Sequence, residues 1–123
     1  MRTAFLLLAL SLGACSEAPP IIASTTVLES TPDTVGPYVV QSVILDVGDH
    51  EVELRYRIDD DLRYLPLPMV ADSGGELHSA AIPGRPAGTR IAYYVTVIAG
   101  GERIVDDPEG AGAAPYTFTI LPQ

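Results

Sequence analysis

Between residues 51 and 58 the chain alternates Glu51, Glu53, Arg55 and Arg57 with Val52, Leu54, Tyr56 and Ile58. A period of two sends successive side chains to opposite faces of a strand, so one face is charged and the other apolar, as a half-buried strand requires. The pattern recurs at Val40, Ser42 and Ile44 set against Val39, Gln41 and Val43. It recurs again along Arg90 to Ala99, where Ile91, Tyr93, Val95 and Val97 share a side. His78, Ala80 and Ile82 form another strand, ended by Pro83-Gly84, and Tyr116, Phe118 and Ile120 form the last. From Gly36 onward no helical period is sustained, so this part of the chain is restricted to β-structure.

Leu65, Leu67 and Met69 alternate with Pro66 and Pro68. Proline has no N–H for a ladder, so this segment is an edge strand whose prolines point outward. Six to eight short strands with turn signals between them, starting near Gly36, predict a single antiparallel β-sandwich. The expected core is Val40, Ile44, Leu54, Tyr56, Ile82, Tyr93, Val95 and Phe118.

Upstream the pattern changes. Met1-Arg2-Thr3 is a short basic start, Ala4 to Leu12 is leucine-rich, and Gly13-Ala14 supplies small residues before Cys15, the one cysteine of the chain. This is secretory-signal anatomy, and the apolar run stops well short of the roughly 20 residues that a spanning helix needs. Leu12-Gly13-Ala14-Cys15 resembles the lipobox of bacterial lipoproteins. That resemblance implies lipid (diacylglycerol and an acyl chain such as palmitate) on Cys15, cleavage before it, and an anchor in the bacterial cell envelope. Ser16 after the cysteine is similar to the outer-membrane sorting pattern. The competing reading is an ordinary signal peptide followed by a free thiol.

The expected organisation is therefore a signal peptide over residues 1–14, a lipidated cysteine and flexible linker over 15–35, and a sandwich domain over 36–123. Pro19, Pro20 and Pro32, with many Ser and Thr, favour the linker, which as a flexible coil of about 20 residues would span roughly 25 Å. The alternative pairs Ile21 to Leu28 as a first strand, because β-branched residues are frequent there.

Composition narrows the partners. The chain has no lysine, and after removal of the leader it holds six arginines against sixteen carboxylates. So acidic a surface repels phosphate backbones, which excludes nucleic acid. Catalysis has little to build on: His50 and His78 are the only histidines, no thiol nucleophile remains once Cys15 is lipidated, and no serine sits at a strand-to-helix elbow. His78 shares parity with Ala80 and Ile82, which makes it a strand residue with a hydrogen-bonded ring.

Gly36-Pro37-Tyr38, Ile82-Pro83-Gly84, the run Pro86 to Val95, Asp107-Pro108 and Tyr116-Thr117-Phe118 together resemble bacterial fibronectin type III-like, immunoglobulin-like modules. The resemblance implies that Tyr93 closes a corner by bonding back to the loop before its strand. The chain lacks the tryptophan that many such domains bury, and it has no Arg-Gly-Asp tripeptide.

Two surfaces are candidates for binding. Three acidic segments, 46–51, 72–76 and 106–109, are expected at one pole, where Asp46, Asp49, Asp72, Asp106, Asp107 and Glu109 could hold a weakly bound calcium ion among carboxylate oxygens. The bland reading is a set of solvated loops. Parity also puts Arg55 and Arg57 on the outer face of one strand and Tyr94, Thr96 and Ile98 on that of its neighbour, a face for a protein partner. The function these features suggest is a non-catalytic interaction or structural module anchored in the envelope, meeting an envelope protein or a glycan. The alternative is a glycan-binding accessory domain for a neighbouring enzyme, which would use Tyr64 and Tyr94 as its stacking surface.

Overall fold

The computed structural model describes residues 18–111 and 113–123, so the leader, Cys15 and the proposed cleavage point lie outside the described residues. Among the described residues nine strands follow in order: β1 (Ile21–Thr25), β2 (Tyr38–Leu45), β3 (Glu51–Ile58), β4 (Leu65–Pro68), β5 (Val70–Ala71), β6 (Leu77–Ile82), β7 (Arg90–Ala99), β8 (Glu102–Asp107) and β9 (Tyr116–Thr119). One sheet has the order β1-β2-β6-β5; the other has β4-β3-β7-β8, with β9 also paired to β7. All strand pairs are antiparallel. In immunoglobulin lettering the sheets read A-B-E-D and C′-C-F-G, so the domain is an antiparallel immunoglobulin-like β-sandwich.

The alternating segments became the two central strand pairs. Tyr56 faces Tyr93 and Leu54 faces Val95 across β3 and β7, and Val40 faces Ala80 across β2 and β6. All eight expected core residues are buried, joined by Val52, Met69, Ile91, Val97 and Ile120. Aromatic packing supplies the bulk that a tryptophan would bring. Phe118 lies edge-on to Tyr38 at 5.3 Å and to Tyr93 at 6.1 Å, and Tyr116 tilts against Tyr93 at 5.4 Å. Each such buried ring removes enough apolar area from water to contribute about 1.5–3 kcal/mol.

β4 is the edge that its prolines demand. Pro66 and Pro68 stand opposite Arg55 and Glu53, while the Met69 N–H donates to the Val52 carbonyl at 2.9 Å, so the missing donors face outward. Buried Met69 then carries the chain from one sheet to the other, where β5 adds two residues to the edge of β6.

The linker reading is corrected. β1 begins at Ile21 and pairs with β2 from Ile21↔Leu45 to Thr25↔Ser42, with a bulge between Ile22 and Ser24, and the Thr25 and Ser42 hydroxyls meet at 2.8 Å. Thr31 bridges Ile120 further along, so the segment up to residue 35 belongs to the sandwich. Its turn is held by close backbone contact: a Cβ on Gly84 would run into the Val35 carbonyl oxygen and come within 2.7 Å of that of Thr34. Glycine is required there by space.

The strand count also exceeds expectation, because β5 is very short and the final edge is divided into β8 and β9, both on β7. The Tyr93 hydroxyl does close a corner, but on a different segment. It donates to the Thr26 carbonyl and accepts from the Leu28 N–H, across the sandwich from the loop before β7. That loop is held instead by Tyr38, whose hydroxyl accepts from the Arg85 N–H at 3.2 Å and donates to the Asp33 carbonyl at 2.6 Å.

Candidate functional site

The outer face of the β4-β3-β7-β8 sheet is built by parity as expected, with Arg55, Arg57, Tyr94, Thr96 and Ile98 directed away from the core. Parity does not make them accessible. Tyr94 is 2% exposed and Thr96 0%, so neither can meet a partner. The reason is a second layer of packing on this face. Tyr64, from the β3–β4 loop, meets the Tyr94 ring edge-on at 4.9 Å and 75°. Arg103 reaches across from β8, its guanidinium 5.3 Å from the Tyr94 ring centroid and its Nη1 donating to the Tyr94 hydroxyl at 2.6 Å.

The layer continues in both directions. Arg57 lies over the Tyr64 ring at 5.1 Å, Arg103 pairs with Asp106 at 3.6 Å, and the Thr96 hydroxyl donates to the Val105 carbonyl at 3.3 Å. Arg55 is bound by Glu53 at 3.0 Å. Burial works against the Arg55 charge, but the Tyr94 hydroxyl and the Glu53 carboxylate outweigh it, and its pKa is raised. Alternating cations and rings, each contact worth about 0.5–1 kcal/mol where solvent reaches it, clamp β3, β7 and β8 together. The steep angle between Tyr64 and Tyr94 also leaves no flat two-ring platform for a sugar.

The acidic segments divide. Segments 46–51 and 72–76 do share a pole, joined by the Ile44 N–H donating to the Glu76 carbonyl at 2.9 Å. The third segment does not join them: Asp106 stands opposite Thr96 and Asp107 opposite Val95, partway along β7. The actual third member of the pole is the β7–β8 turn at Gly100-Gly101, followed by Glu102.

Several of the expected calcium ligands are already engaged. Asp72 Oδ1 accepts from the Gly74 and Gly75 N–H groups, Asp106 pairs with Arg103, and Asp107 Oδ1 accepts from the Tyr116 hydroxyl at 2.9 Å. Asp46, Asp49, Asp72, Asp106, Asp107 and Glu109 are therefore not one ligand set. Among the described residues no three His, Cys, Asp or Glu side chains converge on a point where a metal could sit.

One grouping was not foreseen. His50 and His78, with Glu51, Glu53 and Met69, line an open cleft of ≈ 550 Å³ beside the β2–β3 turn. His78 is buried, with Nδ1 3.1 Å from the Glu76 carbonyl, so its ring holds the turn that leads into β6. Their adjacency follows from β2 pairing with β6, which brings residues 50 and 78 to the same end of the sandwich; neither residue signals this in the sequence.

No family model matches the chain, and no curated protein gives a significant match.

Proposed function

We propose that the chain is a lipid-anchored, non-catalytic interaction or structural module of the bacterial cell envelope, attached through Cys15 and sorted to the outer membrane. The observation that carries this reading is the position of Cys15 after Leu12-Gly13-Ala14, six residues ahead of Ile21, where the first strand of the β-sandwich starts. Two acyl chains or more, at about 0.8 kcal/mol per buried CH₂, would hold so small a domain on a bilayer nearly permanently. The fibronectin type III-like character of the module rests on the motifs between Gly36 and Phe118, and the immunoglobulin-like strand order accords with it. A non-catalytic role is supported by what the chemically capable side chains do. His78 secures a turn, Tyr94 packs under Arg103, the Thr96 hydroxyl bonds the Val105 carbonyl, and Asp107 receives the Tyr116 hydroxyl.

The test is the Cys15→Ser substitution expressed in a Gram-negative host. Loss of labelled palmitate incorporation together with movement from the membrane to the soluble fraction supports the anchor. Unchanged membrane fractionation refutes it.

A further inference from the structure

The position of β1 fixes which end of the domain a tether at Cys15 would hold. Ile21 pairs with Leu45, the last residue of β2, so the chain enters the sandwich at the pole formed by segments 46–51, 72–76 and 100–102. Those segments carry six carboxylates (Asp46, Asp49, Glu51, Asp72, Glu76 and Glu102) and no arginine. The opposite pole holds the 59–64 and 83–90 loops, where Asp59, Asp60 and Asp61 balance Arg63, Arg85 and Arg90 and Leu62 is 91% exposed. The domain is thus charged asymmetrically along its length, and the entry point is at the acidic end.

Two lengths decide the orientation. Ser16 to Pro20 is the whole tether, and a fully extended chain from Cys15 to Ile21 reaches roughly 20 Å. Pro20 is already buried, which shortens the free part. The ten-residue strand β7 alone spans roughly 33 Å at its usual rise, so the domain is longer than its tether. A domain held so short cannot turn over to bring its far pole to the surface.

We propose, resting on the lipid-anchor reading, that the acidic pole faces the lipid headgroup layer and that the Leu62 pole projects away from it. The charge works against the tether, so the tether alone sets the orientation. Anionic headgroups repel the six carboxylates only over a Debye length of about 8 Å at physiological salt, less than the reach of the tether, so the pole can stand off the surface and still face it.

Full-length lipidated protein, reconstituted into phosphatidylethanolamine and phosphatidylglycerol vesicles that include a nitroxide-headgroup lipid, tests this. With Cys15 blocked as a thioether, a single added cysteine takes a fluorescent maleimide. Gly74→Cys and Asp49→Cys report the acidic pole, and Leu62→Cys and Ala87→Cys the other; all four positions are exposed, and a Cβ on Gly74 meets only Asp72 Oδ1 at 3.6 Å. Labels at 74 and 49 should lose most of their fluorescence to the nitroxide, and those at 62 and 87 should keep most of theirs. Equal quenching at both poles, or the reverse order, overturns the orientation while leaving the anchor standing. Failure of the unlabelled protein to stay with vesicles would instead refute the anchor itself.

Discussion

The Tyr93 hydroxyl donates to the Thr26 carbonyl at 2.7 Å, joining the middle of β7 to the segment that leaves β1. The same oxygen accepts from the Leu28 N–H at 2.8 Å, so one side chain satisfies two backbone groups of the segment that leaves β1. Tyr93→Phe keeps the ring packing and strands both groups. The expected loss is about 1–3 kcal/mol by denaturant unfolding. Faster hydrogen exchange at the Leu28 amide should accompany it, because the clamp acts locally. Unchanged exchange at Leu28 would show that β1 is held by its ladder with β2 alone.

Legibility in the sequence followed the two faces of each strand. Leu54 and Tyr56, or Tyr93 and Val95, alternate with neighbours of different polarity or packing, and a period of two reads directly as a buried face. β1 was obscured because it is an edge strand with a bulge between Ile22 and Ser24, so its apolar residues do not alternate. β8 was obscured in the same way, by the irregularity that leaves Ile104 out of register and by Asp106-Asp107, which read as loop. The burial of Tyr94 and Thr96 was illegible for another reason. Parity says which residues point away from the core, and it did so for Tyr94 and Thr96. What covers Tyr94 comes from Tyr64 and Arg103, and what engages Thr96 is the Val105 carbonyl, all on other elements whose approach no local pattern encodes.

That covering layer makes Tyr94 a determinant of stability. Tyr94→Ala removes a buried ring and should cost about 3–5 kcal/mol in chemical denaturation. Tyr94→Phe keeps the contacts to Tyr64 and the Arg103 guanidinium and loses only the hydroxyl bond, for about 1 kcal/mol. A double-mutant cycle with Arg103→Met should return a coupling of about 0.5–1.5 kcal/mol if the two act as one contact. Additive losses would mean that Arg103 is held by Asp106 without Tyr94.

Alkaline pH should loosen the divided edge. The Tyr116 pKa is pushed up to about 12, first by burial and then by its hydrogen bond to Asp107 and the charge of that carboxylate. Tyr93 is raised as well, by burial first, with its bond from the Leu28 N–H acting in the opposite direction. An unfolded tyrosine ionises near pH 10, so above that pH the folded state binds more protons than the unfolded one. The stabilisation is therefore complete below about pH 10 and is lost as pH rises toward the folded value. Urea unfolding measured at steps from about pH 8 to 12 should show stability falling with pH in this window. Tyr116→Phe, which has no proton to lose, should start lower for want of the Asp107 bond and then fall less steeply, with the remaining slope coming from Tyr93. Parallel declines in the two proteins would place the alkaline sensitivity elsewhere and leave the Tyr116–Asp107 contact as a clasp at the ends of β8 and β9 that does not titrate in this range.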